Sequence, residues 1–307
     1  MHIPVLQKEL IKYLSPKEGG TYVDCTGGGG GHSELVLNAI KDDGKLIILD
    51  RDEDAVKRLK EKFPQKNVVI IHENFANIDN VLENLNISQV DGLYADFGTS
   101  SFQLIDPSRG FSFLKSGPLD MRMDKSTELN AYTVVNTFPE ETIANIIRKY
   151  GEELFAKKIA KEIVKNRAIS KINTTRELAD IIFNAVPRKF HKPKVHPATK
   201  AFQAIRIFIN KELEAIESLL KKIEKIIKKG GRVVFISFHS LEDRLVKDML
   251  NFYAKDCICD KKTPVCTCGK VKSFNILTKK PVTVTEEELK ANKLSRSAKL
   301  RAAEKIV

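Results

Sequence analysis

Apolar positions along the first hundred residues recur in two alternating patterns. Short β-branched runs at 21–25, 45–50, 67–72 and 90–96 predict strands, while 32–40, 52–63 and 77–85 carry apolar side chains at spacings of three and four, as amphipathic helices do. Strict alternation of strand and helix is the pattern of a parallel sheet covered on both faces, so the fold class is α/β and doubly wound. A further strand pattern, 232–237, follows the turn Gly230-Gly231, but far more chain separates it from Asp96 than any single crossover uses. A Gly/Pro/Ser-rich stretch, 98–117, opens that interval, and helical patterns at 140–150, 152–166, 174–185 and 211–229 fill it. The expected organisation is a sheet domain made from 1–104 and 206–307, with a helical domain, 105–205, inserted into it. After the fifth strand, 241–253 predicts a helix, 272–277 an edge strand and 293–307 a basic tail.

Composition narrows the class of partner. The 307 residues are 42% hydrophobic, enough for a sizeable core, and 52 Lys and Arg against 40 Asp and Glu leave a net charge of +12. A polyanionic partner is expected, nucleic acid ahead of an anionic membrane surface. Every apolar run is interrupted well before the ~18 residues that a membrane span needs. No stretch joins a basic start to an apolar signal core, so a soluble, cytoplasmic protein with no membrane partner is expected. Four of the five cysteines crowd into 257–268 rather than forming a spread framework, which fits a reducing compartment.

The most informative stretch joins the first strand to the first crossover helix. Val23-Asp24-Cys25-Thr26 runs into five glycines, Gly27 to Gly31, and then His32-Ser33. Consecutive glycines carry a large entropic cost unless a close approach uses them. Three ligands compete for that loop. A phosphate-cradling P-loop needs a Lys at the helix start, and none is there; a dinucleotide fingerprint wants a third small residue where His32 stands. S-adenosylmethionine fits the remaining requirements, with backbone facing its methionine portion and an acid ending the second strand, Asp50, placed for the ribose hydroxyls. Against these stands a plain turn with Asp50 as a helix-flanking acid.

Longer motifs then carry a family resemblance. After His2-Ile3-Pro4-Val5-Leu6, the stretches YVDCTGGGGGHS, LDRD, DGLYADFGTSSFQL, DPSRGFSF and GPLDMRMD follow in order. Then come NTFPEETIANIIRKYGEE, HPATKAFQAIRIFIN, VVFISFHSLEDR, LTKKPV and SRSAKLR. Together they cover nearly the whole chain, which resembles the bacterial ribosomal RNA small-subunit methyltransferase H family, also called MraW. Phe97 and Phe102 depart from the family pattern, and the cysteine segment occurs in only some members. The resemblance implies a Rossmann-like class I methyltransferase sheet with a helical insertion for substrate recognition. It implies methylation of the N4 amine of a cytidine in the decoding region of 16S rRNA, with S-adenosylmethionine as donor. The partner would be 16S rRNA, within the small ribosomal subunit; the sequence leaves the oligomeric state open, a homodimer among the options. Gly30, Gly31, His32, Asp50, Phe75, Asp96 and Gln103 match its donor-site positions, Phe75 beside the adenine.

Chemistry at the strand ends gives two candidates for the transfer step. Because a cytosine amine is a weak nucleophile, attack on a methyl-sulfonium benefits from a carboxylate that accepts a hydrogen bond from it. Asp96, ending the fourth strand, is the first candidate catalytic residue; His239, just past the fifth, is the second, as proton acceptor or orienting group. The Ser-His-Ser run around His239 also suggests a hydrolase, but no G-x-S-x-G elbow accompanies it. A nicotinamide-dependent oxidoreductase and a non-catalytic nucleic-acid-binding protein with a vestigial donor site are the competing functions.

For RNA, the loop 101–124 offers Arg109, Phe111, Phe113 and Arg122 to cover an extruded base. The run 188–200 offers Lys189, His191, Lys192, Lys194, His196 and Lys200 to phosphates, and the tail adds Lys293, Arg296, Lys299 and Arg301. Cys257-x-Cys259 and Cys266-x-Cys268, with Pro264 between and Gly269 after, could hold one zinc, but zinc ribbons usually space each pair by two residues. Free thiols are therefore the expectation, with no metal assigned.

Overall fold

In the computed structural model, residues 4–193, 195–260 and 265–307 are described, so His2, Ile3, Lys194 and Pro264 lie outside the described residues. The chain divides into two compact units, Met1–Gly98 with Leu213–Val307, and Thr99–Glu212. The sequence expectation had put the two boundaries at 105 and 205.

The first unit opens with α1 (Gln7–Leu14), absent from the sequence reading, and then alternates β1 (Thr21–Asp24), α2 (Gly31–Ile40), β2 (Lys45–Asp50), α3 (Glu53–Lys62), β3 (Val68–His72), α4 (Ile78–Asn84) and β4 (Val90–Asp96). The strands buried on both faces are continuous apolar runs for that reason. From β1, β2 and β4, Val23, Ile47, Leu49 and Leu93 face one layer, whereas Tyr22, Leu46, Ile48 and Tyr94 face the other. The first layer includes Ile78, Val81 and Leu82 of α4; the second packs on Leu10 and Leu14 of α1, Val36 and Ile40 of α2 and Leu59 of α3. Each such Leu or Ile, fully buried, contributes about 1.5 to 3 kcal/mol.

Within the second unit the helices are α5 (Ser101–Ile105), α6 (Ala131–Thr137), α7 (Glu140–Gly151), α8 (Ala156–Ile169), α9 (Thr175–Ala185) and α10 (Thr199–Asn210). Ile143 and Ile147 of α7, Ile159 and Ile163 of α8, Leu178 and Ile182 of α9 and Ile205 of α10 are fully excluded from water. Buried Asn210 fixes the preceding loop, accepting from Met123 N at 2.8 Å and donating to the Met121 carbonyl at 2.8 Å.

The chain returns to the sheet unit through α11 (Glu212–Ile226), then β5 (Ile227–Ser237), α12 (Ser240–Tyr253), β6 (Phe274–Ile276), β7 (Val282–Thr283), α13 (Glu286–Ala291) and β8 (Lys299–Lys305). Strand order is β3-β2-β1-β4-β5-β8-β6, with β7 also on β8. The first five strands are parallel, and β8 runs antiparallel to β5 and β6. This is the doubly wound sheet that the sequence predicts. Among the described residues no helix is long and apolar enough to cross a membrane.

Two of the expected elements take another form. The helix predicted over 211–229 gives way at Ile226, because Ile227 pairs with Val90 and a register shift at Val90/Gly92 lengthens β5 backwards. More consequentially, the expected basic tail is an interior strand. Arg301 of β8 is buried, its guanidinium on the carboxylate of Asp243 at 2.6 and 3.2 Å, and the Lys305 ammonium donates to the carbonyls of Glu224 and Ile227. These two charges, Arg301 among the residues expected to face RNA, are spent inside the protein, leaving Lys293 and Arg296 exposed.

Burial raises the Asp243 carboxyl, but Arg301 and Lys299 outweigh it and hold the group below the usual carboxylate range. A carboxyl depressed by folding stabilises the fold above its unfolded value, about 3.9, and that contribution disappears as pH falls through the folded value. Asp243→Asn, which leaves Arg301 without a countercharge, is expected to cost roughly 3 kcal/mol near neutral pH. The difference from wild type should shrink below about pH 4, as read by denaturant melts across pH.

Candidate active site

The carboxyl ends of β1, β2, β4 and β5 meet along one edge of the sheet. Thr26, just past β1, ties two of them together by accepting from Asp96 N at 2.7 Å. The glycine loop is tied to a third, since Asp50 at the end of β2 accepts from Gly28 N at 2.7 Å and from Asp52 N at 2.8 Å. Burial nevertheless raises the Asp50 carboxyl against the pull of those two N–H groups. Both oxygens of Asp50 therefore have a backbone donor, and each retains a lone pair.

Gly30 and Gly31 lack side chains for a reason internal to the protein. Gly30 stands at φ +71° as the residue capping α2, and a Cβ there would strike Phe63 and Leu59; a Cβ on Gly31 would strike Pro4. The close approach that the sequence demanded is thus partly that of α3 and the N-terminal segment. His32 follows, buried, with Nε2 donating to the Val5 carbonyl at 2.8 Å and Nδ1 3.7 Å from Oδ2 of Asp96. A carbonyl only accepts, so Nε2 carries the proton and Nδ1 faces the carboxyl group.

Asp96 is the most perturbed acid of this edge. Burial first, then the charges of Asp24 and Glu242, push its carboxyl well above the usual range. Its Oδ1 is buried without a hydrogen-bond partner among the described residues. Asp24, unremarked in the sequence reading, is 2% exposed, accepts from Ser33 Oγ at 2.5 Å and is raised by burial to about 6. Four acids, Asp24, Asp50, Asp96 and Glu242, therefore belong to this part of the sheet unit. A compact cation is the ligand charge that such an edge favours.

Phe75 and Gln103 sit differently. The Phe75 ring packs at 5.9 Å on Phe97, itself stacked on Phe235 at 5.8 Å, so it is part of the core at 9% exposure. Gln103 belongs to the second unit, where it closes a capping box with Ser100 at the start of α5. His239 is a capping residue as well. Its Nδ1 accepts from Glu242 N at 3.4 Å, its Nε2 lies 3.1 Å from Glu242 Oε1, and Glu242 Oε2 accepts from Phe238 N and His239 N. Both ring nitrogens thus face Glu242, a fully buried acid that the sequence reading missed although it stands three residues after the cap, as capping boxes require.

The profile of the MraW methylase family matches residues 1–306. The chain belongs to that family. A relative from Caldicellulosiruptor saccharolyticus, named ribosomal RNA small subunit methyltransferase H, is 52% identical over 99% of both chains. Relatives of the same name from Clostridium botulinum and Geobacter are 48% and 47% identical, over 99% of this chain and 98% or more of theirs. In this MraW-family chain, then, the acidic edge and glycine loop belong to a methylase.

Helix capping by His239 makes a distinguishing prediction. His239→Ala should lower stability by about 1 kcal/mol, and His239→Asn, a good cap, should recover most of it. Thermal melts of the two variants would decide, since a residue without a capping role would show no such recovery.

Proposed function

We propose that the chain methylates the N4 amine of a cytidine in the decoding region of 16S rRNA, in the small ribosomal subunit, with S-adenosylmethionine as donor. Family membership and the relatives' shared name support the RNA; the observation that carries the chemistry is the buried, unpartnered Asp96 Oδ1 beside the glycine loop. Asp50 would hold the donor's ribose hydroxyls, and the backbone of Gly30 and Gly31 with His32 its methionine portion. When bound, the donor supplies an electrophilic methyl group on a positively charged sulfur, which suits the acidic edge. Asp96 accepts a hydrogen bond from the attacking amine and stabilises the positive charge that grows on it. His239 has its Nδ1 lone pair engaged by the Glu242 N–H, so the proposal gives the proton-accepting role to Asp96 alone.

Incubating the protein with labelled donor and unmodified small subunits, then mapping the labelled nucleoside, tests this reading directly. N4-methylcytidine at one decoding-region position is expected; no label, or label on another base, would overturn it. Asp96→Asn keeps the size but removes the charge, and single-turnover transfer at saturating donor should fall by ~100-fold, the scale of one transition-state contact.

For RNA contact, the second unit offers fewer residues than its sequence suggested. Arg109 is buried on the carbonyls of Arg122 and Met123, Arg122 pairs with Asp120 at 2.7 and 2.9 Å, and Phe113 packs on Phe202 and His196. Among the described residues of the 188–200 run, Arg188, Lys189, Lys192 and Lys200 are exposed, with the half-exposed ring of Phe190 beside Lys189. Replacing Lys189 and Lys192 with Ala is expected to reduce the dependence of log K on log salt by about 1.4 to 1.8. Filter binding over a salt series reads it, with donor affinity unaltered.

A further inference from the structure

Helix α12 ends at Tyr253 and β6 begins at Phe274, and the described residues of the connection bury almost nothing. Ile258, Val265 and Val271 are 51%, 71% and 65% exposed, so no apolar core holds this loop. Its four cysteines nonetheless converge. Cys266 Sγ lies 3.4 Å from Cys257 Sγ, 3.6 Å from Cys268 Sγ and 4.0 Å from Cys259 Sγ, and Cys268 Sγ is 3.9 Å from Cys257 Sγ. All four sulfurs fall within 4.8 Å of one another. Disulfide sulfurs would stand at about 2.05 Å. A tetrahedral ion with metal–sulfur bonds of about 2.3 Å has sulfurs about 3.8 Å apart along each edge, and the observed separations bracket that figure.

We propose that Cys257, Cys259, Cys266 and Cys268 form a structural tetrathiolate site for zinc. Four soft ligands in a closed tetrahedron suit zinc and leave no open position for catalysis. Backbone N–H groups already point at the sulfurs, Cys259 N at 3.3 Å from Cys257 Sγ and Ile258 N at 3.5 Å from Cys268 Sγ, as negatively charged thiolates would favour. On binding, the four thiols release their protons and Zn²⁺ takes four thiolates, leaving two net negative charges. Lys255, Lys270 and Lys272, close in sequence to the cysteines, bring positive charge that offsets them. Lys270 also sits 4.2 Å over the Phe252 ring, anchoring the loop to the end of α12. The one-residue gap inside each pair, which argued against zinc in the sequence, is no obstacle, because the pairs fold onto each other and each contributes two adjacent corners.

The test uses the full chain, purified under reducing conditions and analysed for zinc. About one zinc per chain is expected. After removal of zinc by a chelator, titration with Co²⁺ should give the visible absorption of tetrahedral thiolate-bound cobalt, saturating at about one equivalent. A Cys257→Ser/Cys268→Ser variant should lose both signals. Its fold is monitored by the thermal transition of the whole chain, and the wild-type cobalt titration stands whether or not the variant folds. Wild-type protein that takes up neither metal, metal content unaltered in a folded variant, or cysteines paired as disulfides despite the reductant would each overturn the proposal.

Discussion

A parallel sheet delivers the carboxyl ends of its strands to one edge, and here those ends bring together one buried acid and two half-buried ones. Asp24, Asp50 and Asp96 end β1, β2 and β4, and all three carboxyls are raised chiefly by burial. Packing alone would not place unpaired acids together, because each ionised carboxylate raises the cost of the next. The fold tolerates the arrangement through donors that cost it little. Ser33 serves Asp24, backbone N–H groups serve Asp50, and Glu242 spends one oxygen on the N–H groups ahead of α12. Asp96 keeps one buried oxygen without a hydrogen-bond partner among the described residues, and it is the acid that the proposed reaction needs.

How much of this could be read from sequence depends on whether the signal was local. β1, β2 and β4 are buried on both faces, so their apolar runs were unmistakable, and Asp50 and Asp96 followed as the residues that end them. β8 was hidden because its sequence, KLRAAEK, spends two of its charges on interior partners, and nothing local announces that Asp243 waits for Arg301. The capping role of His239 was hidden for a related reason. A His beside serines at a strand end looks chemical, whereas the deciding partner, Glu242, is invisible as a carboxylate until the helix turns it back onto the cap. Helix α10 was missed although its apolar face is regular, because the stretch that contains it, HPATKAFQAIRIFIN, served only to carry the family resemblance and its periodicity was not read.

The same rule reshapes the second unit. Arginines and phenylalanines in a long loop suggest a surface that grips a base, yet Arg109, Arg122 and Phe111 are what gives the loop a fixed shape. Arg109 lies 5.9 Å from the Phe111 ring and donates to two carbonyls, while Arg122 and Asp120 form a two-point ion pair. A loop without regular structure must satisfy its backbone somehow, and guanidinium groups with five donors do this well. The net charge of +12 remains a sound indicator of a polyanionic partner, but it says nothing about which cations are free to meet one.

Charge also links the donor to the acids on the proposed reading. If Asp96 faces the donor as proposed, the donor's positive charge would favour the ionised carboxylate, countering the burial and the Asp24 and Glu242 charges that hold the carboxyl high. By reciprocity, ionisation of Asp96 favours the sulfonium to the same extent. The acid is thereby charged most fully when the donor is in place, which is when an approaching amine can use a negative oxygen. Transfer would turn the donor's sulfonium into a neutral thioether and so remove a charge that favours the ionised form of Asp96. The electrostatic penalty of the edge returns, and with it a tendency for Asp96 to hold the proton that the methylated amine must lose. On this reading a carboxyl kept high by burial would be suited to both halves of the reaction, stabilising the amine as it becomes cationic during transfer and taking its proton afterwards.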